Sequence, residues 1–173
     1  MPLNLKTDEK LQIEYLTEGG LRLSHVCAKA DLAYNQQIRD SQDLLMLNVG
    51  GVEFSSDSPK PAEKIAAEYI SVIKGLNELY LNAKVIVNSI LPRRQSLDSV
   101  INTNIQKVNV VLSSECSKMP GVVMIDTWSS FCDEKTVIPD LFLEESEKDD
   151  VHISIGGKFV LGQLWADSIL SNL

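Results

Sequence analysis

What the sequence lacks narrows its reading first. No stretch approaches the roughly 20 consecutive apolar residues needed to cross a bilayer, and Met1-Pro2-Leu3-Asn4-Leu5-Lys6 lacks the apolar core of a secretion signal. A cytoplasmic chain with no membrane partner is therefore expected. Cysteine is scarce. Cys27, Cys116 and Cys132 are odd in number, widely spaced and without a C-x-x-C pair, which fits reduced, mostly buried thiols rather than a disulfide framework or a zinc site. Basic residues are outnumbered, 16 Lys and Arg against 24 Asp and Glu, for a formal charge of −8. Such a surface repels phosphate backbones, so nucleic-acid binding is disfavoured. Internal repeats, low-complexity tracts and a linker between domains are also missing, and 173 residues with 44% hydrophobic content suit one domain with one core.

What is present is an alternation of strand-like and helix-like patterns. Residues 43–49 form a near-continuous apolar run that stops at Gly50-Gly51, as a strand buried on both faces would. Two more runs rich in β-branched residues follow, at 84–91, closed by Pro92, and at 121–126. Between them, Ile65, Ala66, Tyr69, Ile70, Ile73, Leu76 and Tyr80 recur at three- and four-residue spacing and predict a helix over 62–82. Asp98 or Ser99 caps a second helix with a stripe of Val100, Ile101, Ile105, Val108, Val111 and Leu112, ending before Pro120. A third, over 158–170 after a Gly156-Gly157 turn, is expected to bury Phe159, Leu161, Leu164, Trp165 and Ile169. Earlier, 12–16 reads as a strand and 21–39 as a helix. This alternation implies right-handed crossovers and an α/β fold with a parallel sheet covered on both faces.

Active sites in such sheets lie at the carboxyl ends of the strands. That rim gathers Gly19-Gly20, Gly50-Gly51, Pro92-Arg93-Arg94 and Asp126-Thr127-Trp128, and the Asp149-Asp150-Val151-His152 segment can reach it. His152 follows Asp149 by three positions, a spacing at which a carboxylate can orient an imidazole toward a nucleophile. A surface turn is the competing reading of the same four residues. Arg93 and Arg94 could bind a carboxylate or phosphate bidentately, or be solvated. The acidic run 144–150 lacks the spacing and glycine of a calcium loop and reads as a solvated loop, so neither metal nor cofactor is expected. Trp128 and Trp165 read as core or rim packing.

The order of these blocks resembles the SGNH (GDSL-type) hydrolase family. Carrying it are a glycine pair after an early strand, Val49-Gly50-Gly51-Val52-Glu53, Leu91-Pro92-Arg93-Arg94, and Asp149-Asp150-Val151-His152 before a terminal helix. The resemblance implies a three-layer, flavodoxin-like α/β/α fold with a parallel sheet of four to five strands. It makes Asp149 the orienting carboxylate and His152 the general base, with Gly20 or Gly19 and Gly50 at the oxyanion hole. Two departures stand out. Val52 occupies the place of the family's oxyanion-hole asparagine, and removing one such donor typically costs about 10²–10³ in turnover. The nucleophile block Gly-Asp-Ser occurs nowhere in the chain, and only 18 residues precede Gly19.

In the family's 2-1-3-4-5 sheet order the first strand lies between the second and third, so its absence leaves inner edges to be filled or rearranged. Ser55, Ser56, Ser58 or Ser24, beside His25, could stand in for the serine, but serines after a strand more often cap helices or form turns. Three readings follow: a catalytically incomplete domain that binds a small acyl ester or a protein partner; a carboxylic-ester hydrolase whose serine lies upstream or at a non-standard position; and an assembly protein that homodimerises through the open sheet edge.

Overall fold

The computed structural model describes residues 21–33, 43–54, 60–143 and 151–172. Among the described residues three parallel strands, against the four to five expected, form a sheet: β1 (Leu44–Leu47), β2 (Lys84–Asn88) and β3 (Val122–Ile125), in the order β1-β2-β3, with Met46 opposite Ile86 and Ile86 opposite Val123. Helix α1 (Leu23–Ala33) precedes β1, α2 (Ala62–Leu79) joins β1 to β2, α3 (Val100–Cys116) joins β2 to β3, and α4 (Ile155–Asn172) follows. The fold is therefore α/β with a parallel sheet flanked by helices, as the alternation of patterns requires. The segment 12–16 read as a strand lies outside the described residues, as does the end of the helix expected over 21–39.

Side chains alternate across a strand, and this sorts the layers. Val85 and Val87 face a core built with Leu23, Val26 and Ala30 of α1, Ile65, Tyr69 and Ile73 of α2, and Ile105, Val108 and Leu112 of α3. Asn88 points to the other face, where its Oδ1 accepts from Trp165 Nε1 of α4 at 2.9 Å. A second cluster of Phe131, Val137, Phe142 and Leu161 lies under the loops beside α4, with Phe131 and Phe142 edge to face at 5.7 Å.

Helix phases differ from the sequence reading in two places. On α3, Val100 is 74% and Val111 41% exposed, and the buried stripe is Asn102, Ile105, Val108, Asn109, Leu112 and Cys116. Two asparagines displace the valines because the loop after β2 offers them backbone partners. On α4, Phe159 is not buried but 75% exposed. Gly156-Gly157 is not a turn; it is the first turn of the helix, capped by Ser154, whose Oγ accepts from Gly157 N at 3.1 Å. Gly157 sets the phase. A Cβ there would lie 2.2 Å from the Leu141 carbonyl oxygen, so this face closes on the loop, and Phe159, about 200° further round, turns outward.

Candidate functional site

The carboxyl ends of the three strands carry the candidate site. After β1 the chain turns at Gly50, whose φ of +96° is a backbone state that side chains disfavour. A Cβ at that position would also press on Ile90 Cδ1 at 3.0 Å and the Tyr69 ring at 3.3 Å. A 3-10 turn, Gly51–Phe54, follows. It buries Glu53, which is 2% exposed. Glu53 Oε1 accepts from the Leu23 amide at 3.0 Å, capping the start of α1, and Oε2 lies 3.3 Å from Lys60 Nζ and 3.7 Å from Arg22 Nη1. The hydrogen-bonded carboxylate of Glu68 is the main influence holding Lys60 above the usual lysine range. Val52 brings no side-chain donor to this turn.

After β2 the backbone is fixed by side chains of α3. Asn109 Oδ1 accepts from Ile90 N at 2.8 Å, and its Nδ2 donates to Ile90 O at 2.9 Å. Asn102 does the same for Arg93, with 2.8 Å and 3.0 Å, and Nδ2 also reaches the carbonyls of Gln95 and Ser96. Each amide pairs with the chain as a neighbouring strand would. The spacing fits: seven residues of helix rise about 10.5 Å, and three residues of extended chain span about 10 Å. Sequence reasoning missed both asparagines. Their seven-residue separation within an apolar stripe was the available signal.

Ser89 Oγ lies 3.0 Å from Thr127 Oγ1 and accepts from Trp128 N at 2.8 Å, while Thr127 Oγ1 donates to Ser89 O at 2.7 Å. These buried hydroxyls lock the ends of β2 and β3 together. Tyr69, fully buried, donates to Asn88 O at 3.4 Å, and burial pushes its phenol far above the ordinary range. Cys132, behind this rim, is pushed up to about 11, mainly by burial and secondarily by the charges of Asp126 and Asp133.

The structure brings some of the sequence-predicted residues together. Arg93 is buried, and its Nη2 donates to Gly51 O at 2.6 Å. Arg94, half-buried, donates from Nη1 to Leu143 O at 3.1 Å, and the Leu143 amide donates to His152 O at 2.9 Å. His152 is exposed at the mouth of this bridge, one residue before Ile153 pairs with Phe142. The consecutive arginines thus join the Gly50-Gly51 turn on one side to the His152 segment on the other. Ser24 and His25 sit exposed on the first turn of α1. Asp149, Gly19, Gly20, Ser55, Ser56, Ser58 and the acidic run 144–150 lie outside the described residues. Among the described residues, no group of three or more His, Cys, Asp or Glu side chains could hold a metal ion, and no helix is long and apolar enough to cross a membrane.

No protein-family profile matches the chain, and no curated protein sequence matches it. Solved structures do. The OSK domain of Drosophila Oskar superposes with a TM-score of 0.69 at 20% identity, over 86% of this chain and 70% of that one. A carbohydrate esterase family 3 protein from Talaromyces cellulolyticus gives 0.63 at 15% identity, over 88% and 68%. A Bacteroides fragilis protein assigned as an acylhydrolase gives 0.65 at 18% identity, over 88% and 72%. The strand order, the helices on both faces and these superpositions define an α/β domain of the flavodoxin-like type. Its fold is that of the SGNH hydrolases.

Proposed function

We propose that this SGNH-hydrolase-like domain is catalytically incomplete and works as a binding module at the rim formed by Gly50, Arg93, Arg94 and His152. One observation carries the reading: the turn after β1 has its polar groups committed to architecture. Glu53 caps α1 and pairs with Lys60 and Arg22, the Gly51 carbonyl accepts from Arg93, and Val52 supplies no side-chain donor for a developing oxyanion. The occupant is a small acyl ester held without turnover or a protein segment. The free thiols Cys27, Cys116 and Cys132 support a reducing, cytoplasmic setting. The test is labelling with a serine-reactive fluorophosphonate alongside hydrolysis of a short-chain aryl ester. Neither labelling nor turnover above the buffer rate is expected. Stoichiometric labelling with turnover abolished by His152→Ala would overturn the proposal.

The second reading, ester hydrolysis through Ser–His–Asp acyl transfer with Asp149 and His152 as the orienting and basic groups, is favoured by the anchoring of the His152 carbonyl on the Leu143 amide, with Leu143 held in turn by Arg94. That anchoring is what a general base needs to meet a serine. The same two measurements decide between them.

A further inference from the structure

Two walls of the strand-end rim are held by one short segment, residues 92–96. Arg93 Nη2 donates to Gly51 O at 2.6 Å in the turn after β1. Arg94 Nη1 donates to Leu143 O at 3.1 Å, and the Leu143 amide in turn holds His152 O at 2.9 Å. The segment is itself fastened by a single side chain. Asn102, fully buried on α3, accepts from Arg93 N and donates to the carbonyls of Arg93, Gln95 and Ser96, gripping the backbone on both sides of Arg94. The two arginines differ in burial. Arg93 is 3% exposed, so a guanidinium that lets go of Gly51 O cannot reach water by rotating its side chain, and an ionised group is costly to leave inside away from its acceptor. It reaches solvent only when its own backbone moves, and that backbone is what Asn102 holds. Once the Asn102 bonds part, Arg94, the next residue, is carried off Leu143.

We propose that residues 92–96 form a latch: the segment, the Gly51–Phe54 turn and the Leu143–His152 contact open as one unit, and the opening event is the parting of the Asn102 bonds. Asn102 is then a positioning residue for the rim, acting on one wall through Arg93 and on the other through Arg94. The segment has two states, fastened and released, and each wall favours the fastened one through its own arginine. That is the condition for coupling between them. Such coupling is reciprocal, so whatever steadies one wall steadies the other. For the binding module proposed above, on whose reading this consequence rests, an occupant gripping the turn after β1 steadies the His152 segment as well.

Native-state hydrogen exchange of the full chain, followed amide by amide by NMR, tests the latch. It needs no occupant, so its failure is distinct from failure of the binding reading. The reporters are the Arg93 amide, bonded to Asn102 Oδ1, the Glu53 amide, bonded to Gly50 O, and the Leu143 amide, bonded to His152 O. Ile90, whose amide is bonded to Asn109 Oδ1, is the reference. The three reporters should share one protection factor, lower than that of Ile90 by about 10-fold or more. Arg94→Met removes a half-buried side chain at one wall only. It should lower protection at all three reporters alike, on the order of 3- to 10-fold, and leave Ile90 unchanged. Parent reporters that differ from one another or match Ile90, an Arg94→Met effect confined to Leu143, or an equal effect at Ile90 would each overturn the proposal.

Discussion

Arg93 and Gly51 are joined by a 2.6 Å hydrogen bond from Nη2 to the main-chain carbonyl, although the arginine is only 3% exposed. A buried guanidinium so placed ties the segment after β2 to the turn after β1. A lysine has one compact ammonium where arginine has a planar fork, so it cannot reproduce the contact in place. Arg93→Lys is expected to lower stability by about 1–3 kcal/mol, read as a shifted urea midpoint at unchanged slope. Arg94→Lys, at a half-buried position that reaches Leu143 O at 3.1 Å, should cost less than about 1 kcal/mol.

The asparagine pair on α3 should matter more than any surface polar residue. Asn109→Ala strands both polar groups of Ile90, and Asn102→Ala strands the buried Arg93 amide and takes a donor from the carbonyls of Arg93, Gln95 and Ser96, of which Arg93 O keeps Gln95 N and Ser96 O keeps Ser99 N. Each is expected to cost about 2–4 kcal/mol, since buried backbone groups left unpaired lose their full solvation. Thermal unfolding checks this, with a fall of roughly 5–12 °C for a domain of this size. Asn102→Asp should be no substitute, because a carboxylate cannot donate to the Arg93, Gln95 and Ser96 carbonyls.

Glu53 gives a graded test of its capping role. In Glu53→Gln the amide oxygen can still accept from the Leu23 amide while the charge attraction to Lys60 and Arg22 is lost. Glu53→Ala loses both. Because Lys60 and Arg22 retain access to water, no buried cation is stranded, and the alanine change should cost about 1–3 kcal/mol and the glutamine change about half of that. Amide exchange at the first turn of α1 should accelerate in the same order.

The strands and α2 were legible because their determinants are local. Runs such as Val85-Ile86-Val87 and the Ile65-Tyr69-Ile73-Leu76 stripe state their burial without reference to other parts of the chain. Asn102, Asn109 and Glu53 were not legible. Whether a polar residue faces water or a loop backbone depends on where that loop runs, which no local pattern records. Gly157 failed for a related reason: a glycine pair before a helix looks like a turn until the Leu141 carbonyl is found against it. The exposure of Phe159 follows from that same contact. Of the candidate rim, the sequence put Arg93, Arg94 and the reach of the His152 segment at the strand ends, and the structure links Arg94 and His152 through Leu143. That Arg93 would be buried on Gly51 needed the tertiary structure.

Cys132 supplies a pH dependence. Its folded thiol holds its proton to about 11, above the ordinary value of 9.0. Below pH 9 both folded and unfolded thiols are protonated and no stability change arises from this group. Between 9 and about 11 the unfolded chain releases the proton that the folded chain keeps, so the unfolded state binds fewer protons and stability falls as pH rises. The melting temperature of Cys132→Ala, compared with the parent chain across that window, should show a shallower decline. At neutral pH the parent's Cys132 should react slowly with iodoacetamide, since the thiolate is the nucleophile.

The adjacent glycines at the start of α4 should behave oppositely. At Gly157 an added methyl would collide with backbone, the Leu141 carbonyl at 2.2 Å and its carbon at 3.2 Å, and with Ile153 Cβ at 3.0 Å. Backbone cannot rotate aside as a side chain can, so the helix start and Leu141 must separate. At Gly156 the nearest atom is Ser154 Oγ at 3.5 Å, an ordinary contact. There alanine only removes conformational freedom from the unfolded chain and favours the helix. Gly157→Ala is expected to destabilise by about 3 kcal/mol or more, and Gly156→Ala to be neutral or to stabilise by up to about 1 kcal/mol. Denaturant titration of the two variants side by side checks the sign at each position. Equal effects would mean that the first turn of α4 does not close on Leu141, and with it the outward phase of Phe159 would lose its cause.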